Sequence, residues 1–110
     1  MLNEPRFPQG VEVERWKGFI KPHRVGLELK MIAEGLSPFC WSNGPGYRYS
    51  PHRHSRTQIL YVLEGSITFT LPDSQAEVEL RIGDRLLLPA NVLHSAVVGS
   101  QGVTCLDAER

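Results

Sequence analysis

The sequence predicts an all-β single domain, a closed or nearly closed antiparallel β structure with a short helix near its start. Three observations carry that expectation. Short stretches such as SITFTL and AEVELR alternate apolar and polar residues with a period of two. Clusters of Gly, Pro, Asn and Asp separate them at close intervals, as turns do. At 110 residues the chain can fill one core without disulfide staples and has no room for a second domain.

Residues 1–10 carry two prolines and a glycine and read as an extended arm. VEVERW (11–16) sets Val11, Val13 and Arg15 against Glu12, Glu14 and Trp16, which suits a first strand. The segment 21–38 fits two patterns. Val25, Leu29, Ile32 and Ala33 lie on one helical face, whereas Val25, Leu27, Leu29 and Met31 alternate as in a strand. Pro22 at the start and Gly35 at the end punctuate a helix, so a short helix is the expectation. This divides the domain into residues 1–35, arm, strand and helix, and residues 36–110, the β core.

FCW is a strand with a sharp exit at Asn43-Gly44-Pro45-Gly46. ILYVLEGSITFTL is the longest strand, and Pro72-Asp73-Ser74 bends it into AEVELRI. Ile67, Phe69 and Leu71 share one face, and Val78, Leu80 and Ile82 share one on the next strand. Gly83-Asp84 turns the chain into LLLP, and VLHSAVV and GVTCL complete the set.

The chemistry concentrates in GYRYSPHRHSRTQILYVLEG, residues 46–65. Side chains spaced i, i+2 on a strand project to one side about 7 Å apart, so His52 and His54 can converge on one metal ion. Gln58 has the same parity but would sit about 13 Å further along an uninterrupted strand. A turn through Ser55, Arg56 and Thr57 is required to bring it back. Arg48 also shares the parity of His52 and His54, which offers its planar guanidinium to a substrate carboxylate. Tyr47, Tyr49 and Trp41 can line a cavity mouth or pack elsewhere. His23 reads as a solvated surface residue, and Asp107, near the chain end, as solvent-facing.

The spacing of Gly46, His52, His54, Gln58 and Gly65 resembles the first motif of the cupin superfamily. GDRLLLPANVLH resembles the second, with Gly83, Pro89 and His94 in the matching places. Gln58 stands where most cupins have Glu, and Asn91 where they have Gly; Asn is the non-glycine residue best able to take a left-handed backbone. The resemblance spans residues 46–94. It implies a small single-domain cupin, a jelly-roll-like β-barrel, with a four-ligand site made by His52, His54, Gln58 and His94. It further implies a divalent transition metal, since imidazole ligands suit Fe, Ni, Zn or Cu better than Mg or Ca.

An amide ligand in place of a carboxylate removes a negative charge and leaves the site formally at +2. Such a site attracts an anionic group to its open position and acidifies bound water. The resemblance to small single-domain cupins implies an enzyme acting on a small oxygenated or carboxylated molecule, isomerase- or cyclase-like or dioxygenase-like. The alternative is a non-catalytic cupin that binds or senses a small molecule or sugar. No general base is evident in the sequence.

Twelve basic residues balance twelve acidic ones, without a basic stripe or acidic tail, so the composition offers no reason to expect nucleic acid or an anionic membrane surface. There is no signal-peptide core and no apolar run of membrane-spanning length, which leaves a cytoplasmic location as the expectation. Cys40 and Cys105 are too few and too distant for a disulfide framework and read as reduced thiols. Pairing of such domains through their sheets makes a homodimer the expected assembly.

Overall fold

The computed structural model describes residues 10–110, so the arm expected at residues 1–10 lies almost wholly outside the described residues. The elements are β1 (Glu12–Glu14), α1 (Arg24–Ala33), β2 (Phe39–Asn43), β3 (Arg48–His52), β4 (Gln58–Leu71), β5 (Ala76–Arg81), β6 (Arg85–Leu88) and β7 (His94–Glu109). A 3-10 turn at Pro72–Ser74 occupies the expected bend.

All pairings are antiparallel, and β4 and β7 form the spine. Gln58 pairs with Glu109 at one end of this ribbon and Thr70 with Ser95 at the other. The first half of β4 is flanked by β6, with β1 beyond it, and its second half by β5. On the other side, the end of β7 is flanked by β2 and its start by β3.

The expected barrel is not what forms. The hydrogen-bonded order runs β1-β6-β4-β7-β2 with β3 and β5 as branches, and it does not close into a ring. Alternation and turns specify strands and their inward faces, but closure needs a pairing between the outermost strands, which leaves no mark on period-two patterning. The sheet instead bends along its spine, giving nearly equal extents of 35 × 34 × 31 Å. The bend is built from backbone irregularities. Gly65 pairs with Val103 but Ile67 with Val98, so residues 99–102 bulge out opposite Ser66. Gly65 has a φ of +70°, and a Cβ there would land on the Gly102 carbonyl oxygen, so the crossing requires glycine.

Bending creates two cores. One fills the inside of the bend with Leu60, Val62, Ile67, Phe69, Leu80 and Val98 among others. The second lies between the outer face and α1 and includes Leu27, Met31, Leu36, Ile59, Tyr61 and Leu106. This explains the unbroken apolar run ILYVL: residues 59–63 are buried on both faces, while beyond Gly65 only Ile67, Phe69 and Leu71 point inward.

The helix ends as its punctuation predicts. Gly35 N–H donates to Ile32 O and Leu36 N–H to Met31 O, a Schellman pair, with Gly35 at a φ of +83°. Its buried face differs from expectation, however. Leu27 and Met31 pack on the sheet, and Val25, Leu29 and Ile32 remain exposed. The Schellman turn folds Leu36 back beside Met31, and both enter the outer core, which sets the roll of the helix.

Candidate metal centre

The site forms where β3 meets the start of β7. His52 and His94 are directly opposite each other in the ladder, so His94 arrives by pairing of neighbouring strands and needs no closed barrel. His54 follows β3 in an irregular segment, and the chain bends at Ser55 and Arg56 before β4, as the spacing demands. Asn91 sits left-handed at a φ of 67°, and its N–H donates to His54 O at 2.7 Å, tying the two histidine segments together.

The ring centroids of His52, His54 and His94 lie 4.3–5.0 Å apart. Their ligand atoms all fall within 4.8 Å of one another. His52 Nδ1 is 2.6 Å from Ser50 O, and His94 Nδ1 is 2.9 Å from Val92 O. A carbonyl only accepts, so each Nδ1 carries the proton and each Nε2 keeps its lone pair for the cavity. His52 Nε2 and His54 Nε2 are 3.1 Å apart. Two nitrogens bound at about 2.1 Å to one ion at right angles are about 3.0 Å apart. Burial holds the His94 imidazolium below its ordinary pKa, with the neighbouring His52 and His54 acting the same way and the bond to Val92 opposing them. His94 is thus favoured in the neutral, metal-ready form.

The imidazoles open onto a cavity of about 250 Å³. Gln58 and Asp107 contribute to its polar lining, while Trp41, Tyr49, Ile67, Phe69 and Ala96 supply the rest. Gln58 Nε2 donates to Asp107 Oδ2 at 2.8 Å, and Trp41 Nε1 donates to the same oxygen at 2.9 Å. Gln58 Oε1 is buried with no hydrogen-bond partner among the described residues, as is Asp107 Oδ1. An unpaired buried carbonyl costs about 1–3 kcal/mol. The three clustered imidazoles fit a divalent transition metal, and Gln58 lines the same cavity.

Asp107 is the cavity residue that sequence reading places wrongly. It is 4% exposed, not solvent-facing. Burial raises its carboxyl pKa, opposed by the hydrogen bonds from Trp41 and Gln58. Its position follows from register: Asp107 pairs with Leu60 and Phe39, so Gln58 and Trp41 are its diagonal neighbours on the inner face. The available signal was its place between Leu106 and Ala108, which marks a strand buried on both faces.

Arg48 is exposed and does not line the cavity. Tyr49 pairs with Ala96 but His52 with His94, and this register shift breaks the parity that linked Arg48 to the histidines. Tyr49 takes the inward position instead. Asn43 Nδ2 donates to its hydroxyl, Trp41 stacks edge-on against its ring at 5.9 Å, and burial raises its pKa. Tyr47 is half exposed and His23 exposed. Cys40 and Cys105 are both free, and burial pushes the Cys105 thiol far up. No helix among the described residues is long and apolar enough to cross a membrane.

The chain is similar to proteins of known kind. Over 89 residues it is 35% identical to dimethylsulfoniopropionate lyase DddW of Ruegeria pomeroyi, a match covering 81% of this chain and 53% of that protein. It thus spans about half the length of this curated relative. Among solved structures, one of the DMSP lyases RdDddP and RnDddQII superposes with a TM-score of 0.62 at 25% identity, over 68% of this chain and 38% of that one. The polyketide cyclase RemF of Streptomyces resistomycificus gives 0.59 at 28%, over 67% and 54%. An RmlC-like cupin from Shewanella frigidimarina gives 0.58 at 26%, over 67% and 64%. These neighbours point to the cupin superfamily that the two motifs resemble. The family model of the AraC-like ligand binding domain matches residues 39–105, well over half the chain, and the chain belongs to that family.

Proposed function

We propose that this chain is a metal-dependent cupin acting on a small carboxylated molecule. His52, His54 and His94 through Nε2, and Gln58 through Oε1, hold one divalent transition metal, Fe, Ni, Zn or Cu. The observation that carries the reading is the meeting of three imidazoles, two with tautomers fixed by backbone carbonyls, in one cavity that Gln58 also lines.

A divalent ion held by these neutral ligands supplies Lewis-acid chemistry to a carbonyl or carboxylate oxygen. The chain's own residues do the rest. Trp41, Ile67, Phe69 and Ala96 give the cavity an apolar wall that excludes water, and its volume suits a molecule of a few heavy atoms. Tyr49 is kept as a phenol and can donate a hydrogen bond into the cavity. The likeness to dimethylsulfoniopropionate lyases directs the search to short carboxylates with a leaving group on the chain, and that to a polyketide cyclase to enolisable carbonyls. Lyase or cyclase chemistry is accordingly favoured over oxygen activation.

The test is elemental analysis of protein purified without chelator, repeated after loading with Fe(II), Ni(II), Zn(II) or Cu(II), followed by assay of loaded protein with dimethylsulfoniopropionate and related carboxylates. About one equivalent of metal and metal-dependent turnover are expected. Failure to retain any of the four ions would overturn the metal site. The family match favours a second reading, a non-catalytic binding module. A loaded protein stabilised by small carboxylates or sugars without converting them would select it.

A further inference from the structure

Position 58 carries an amide, and the residue behind it carries a carboxylate. Gln58 Nε2 donates to Asp107 Oδ2 at 2.8 Å, Gln58 Oε1 is buried and unpartnered, and the residue lines the cavity with the three histidines. An amide has two chemically opposite ends, and nothing in its shape decides which faces the imidazoles. The carboxylate decides it, because it only accepts hydrogen bonds and so can face only the nitrogen. Trp41 Nε1, donating to the same carboxylate oxygen at 2.9 Å, holds the Asp107 side chain in place. From Coulomb's law the charge that Gln58 lacks is also not lost, since Asp107 returns it one hydrogen bond further from the ion.

We propose that Asp107 is a positioning residue for the metal centre, its carboxylate fixing which end of the Gln58 amide faces the imidazoles. The inference rests on the metal site proposed above. Gln58 Nε2 and Trp41 Nε1 converge on one oxygen, Asp107 Oδ2. Asp107→Asn can keep an oxygen in that place and accept from both, whereas Asp107→Leu removes the shared acceptor and frees the Gln58 amide to present either end.

The experiment measures Zn(II) and Co(II) affinity by competition with a chromophoric chelator, together with the visible spectrum of the Co(II) form. The chains compared are wild type, D107N and D107L. D107L lets the Gln58 amide present either end and should weaken binding about tenfold to a hundredfold, the range for loss of a partner behind a ligand. D107N keeps an acceptor for Gln58 Nε2 and should recover most of the affinity, with the Co(II) spectrum of wild type. D107L with the affinity of wild type, or D107N no better than D107L, would overturn the inference while leaving a metal-binding wild type intact. Wild type that takes no metal overturns the site and the inference with it. If D107L does not fold, D107N decides: affinity near wild type supports the inference, and a loss of about tenfold or more overturns it.

Discussion

His52 and His94 face each other across the β3–β7 ladder, and each gives its Nδ1 proton to a backbone carbonyl two residues earlier in its own chain segment, Ser50 and Val92. The paired strands therefore fix both ring orientation and tautomer, and the two lone pairs are aimed before any ion arrives. Preorganisation of this kind predicts that losing one ring is a loss of binding more than a loss of fold.

For His52→Ala, the half-buried ring sits on a strand with one neighbour, so unfolding free energy should fall by about 1 kcal/mol or less. Metal content after dialysis should drop below about a tenth of an equivalent. Urea titration and elemental analysis of one preparation check both halves. Retained metal would exclude His52 as a ligand.

Acid should destabilise the metal-free protein through His94. Its folded pKa lies below the ordinary 6.5, so below that value the unfolded chain takes up a proton that the folded one refuses, and stability falls as pH falls. Asp107 acts in the opposite sense. Its folded pKa lies above 3.8, so between those two values the folded chain binds the extra proton and stability declines as pH rises. Urea midpoints from about pH 5 to 8 should therefore rise with pH through the histidine range, and His94→Gln should flatten that rise. An unchanged slope in the variant would assign the effect to another group.

Beneath α1, Met31 is completely buried and touches the outer core, whereas Leu29 on the same helix is 60% exposed. Met31→Ala should cost about 2–5 kcal/mol. Leu29→Ala should stay within about 0.5 kcal/mol. Chemical denaturation of the pair tests which apolar stripe of the helix faces the sheet.

Gly65→Ala introduces a Cβ where the Gly102 carbonyl lies, at a φ of +70°. The β4–β7 crossing cannot move without shifting both strands, so a loss above about 2 kcal/mol is expected. Gly35→Ala, equally left-handed but with open space around it, should cost only about 1 kcal/mol. Comparing their thermal midpoints separates steric closeness from backbone strain.

Much of this was legible in the chain. Strand positions and the turn between His54 and Gln58 follow from spacing and residue chemistry, which are local properties, while the left-handed Asn91 and the arrival of His94 beside the other two histidines were implied by the resemblance of the two motifs. What did not follow depends on relations between distant segments. Whether the sheet closes is decided by its outermost strands, the inward place of Asp107 by its register against Leu60 and Phe39, and the exposure of Arg48 by one extra residue in β3. Val25, Leu29 and Ile32 formed a credible core stripe; the capping turn that rolls them outward acts through Leu36, beyond the helix itself.

The β4–β7 ribbon also sets the order in which this molecule can come into being. Its partners in sequence are far apart, Gln58 with Glu109 and Ile59 with Ala108, so the chain must close long loops before the central contacts reward it. Folding on the slow side for its size, in about milliseconds to seconds, is the expected result. Because His94 begins β7 and Asp107 lies near that strand's far end, a nascent chain cannot assemble the cavity until the whole of β7 has left the ribosome.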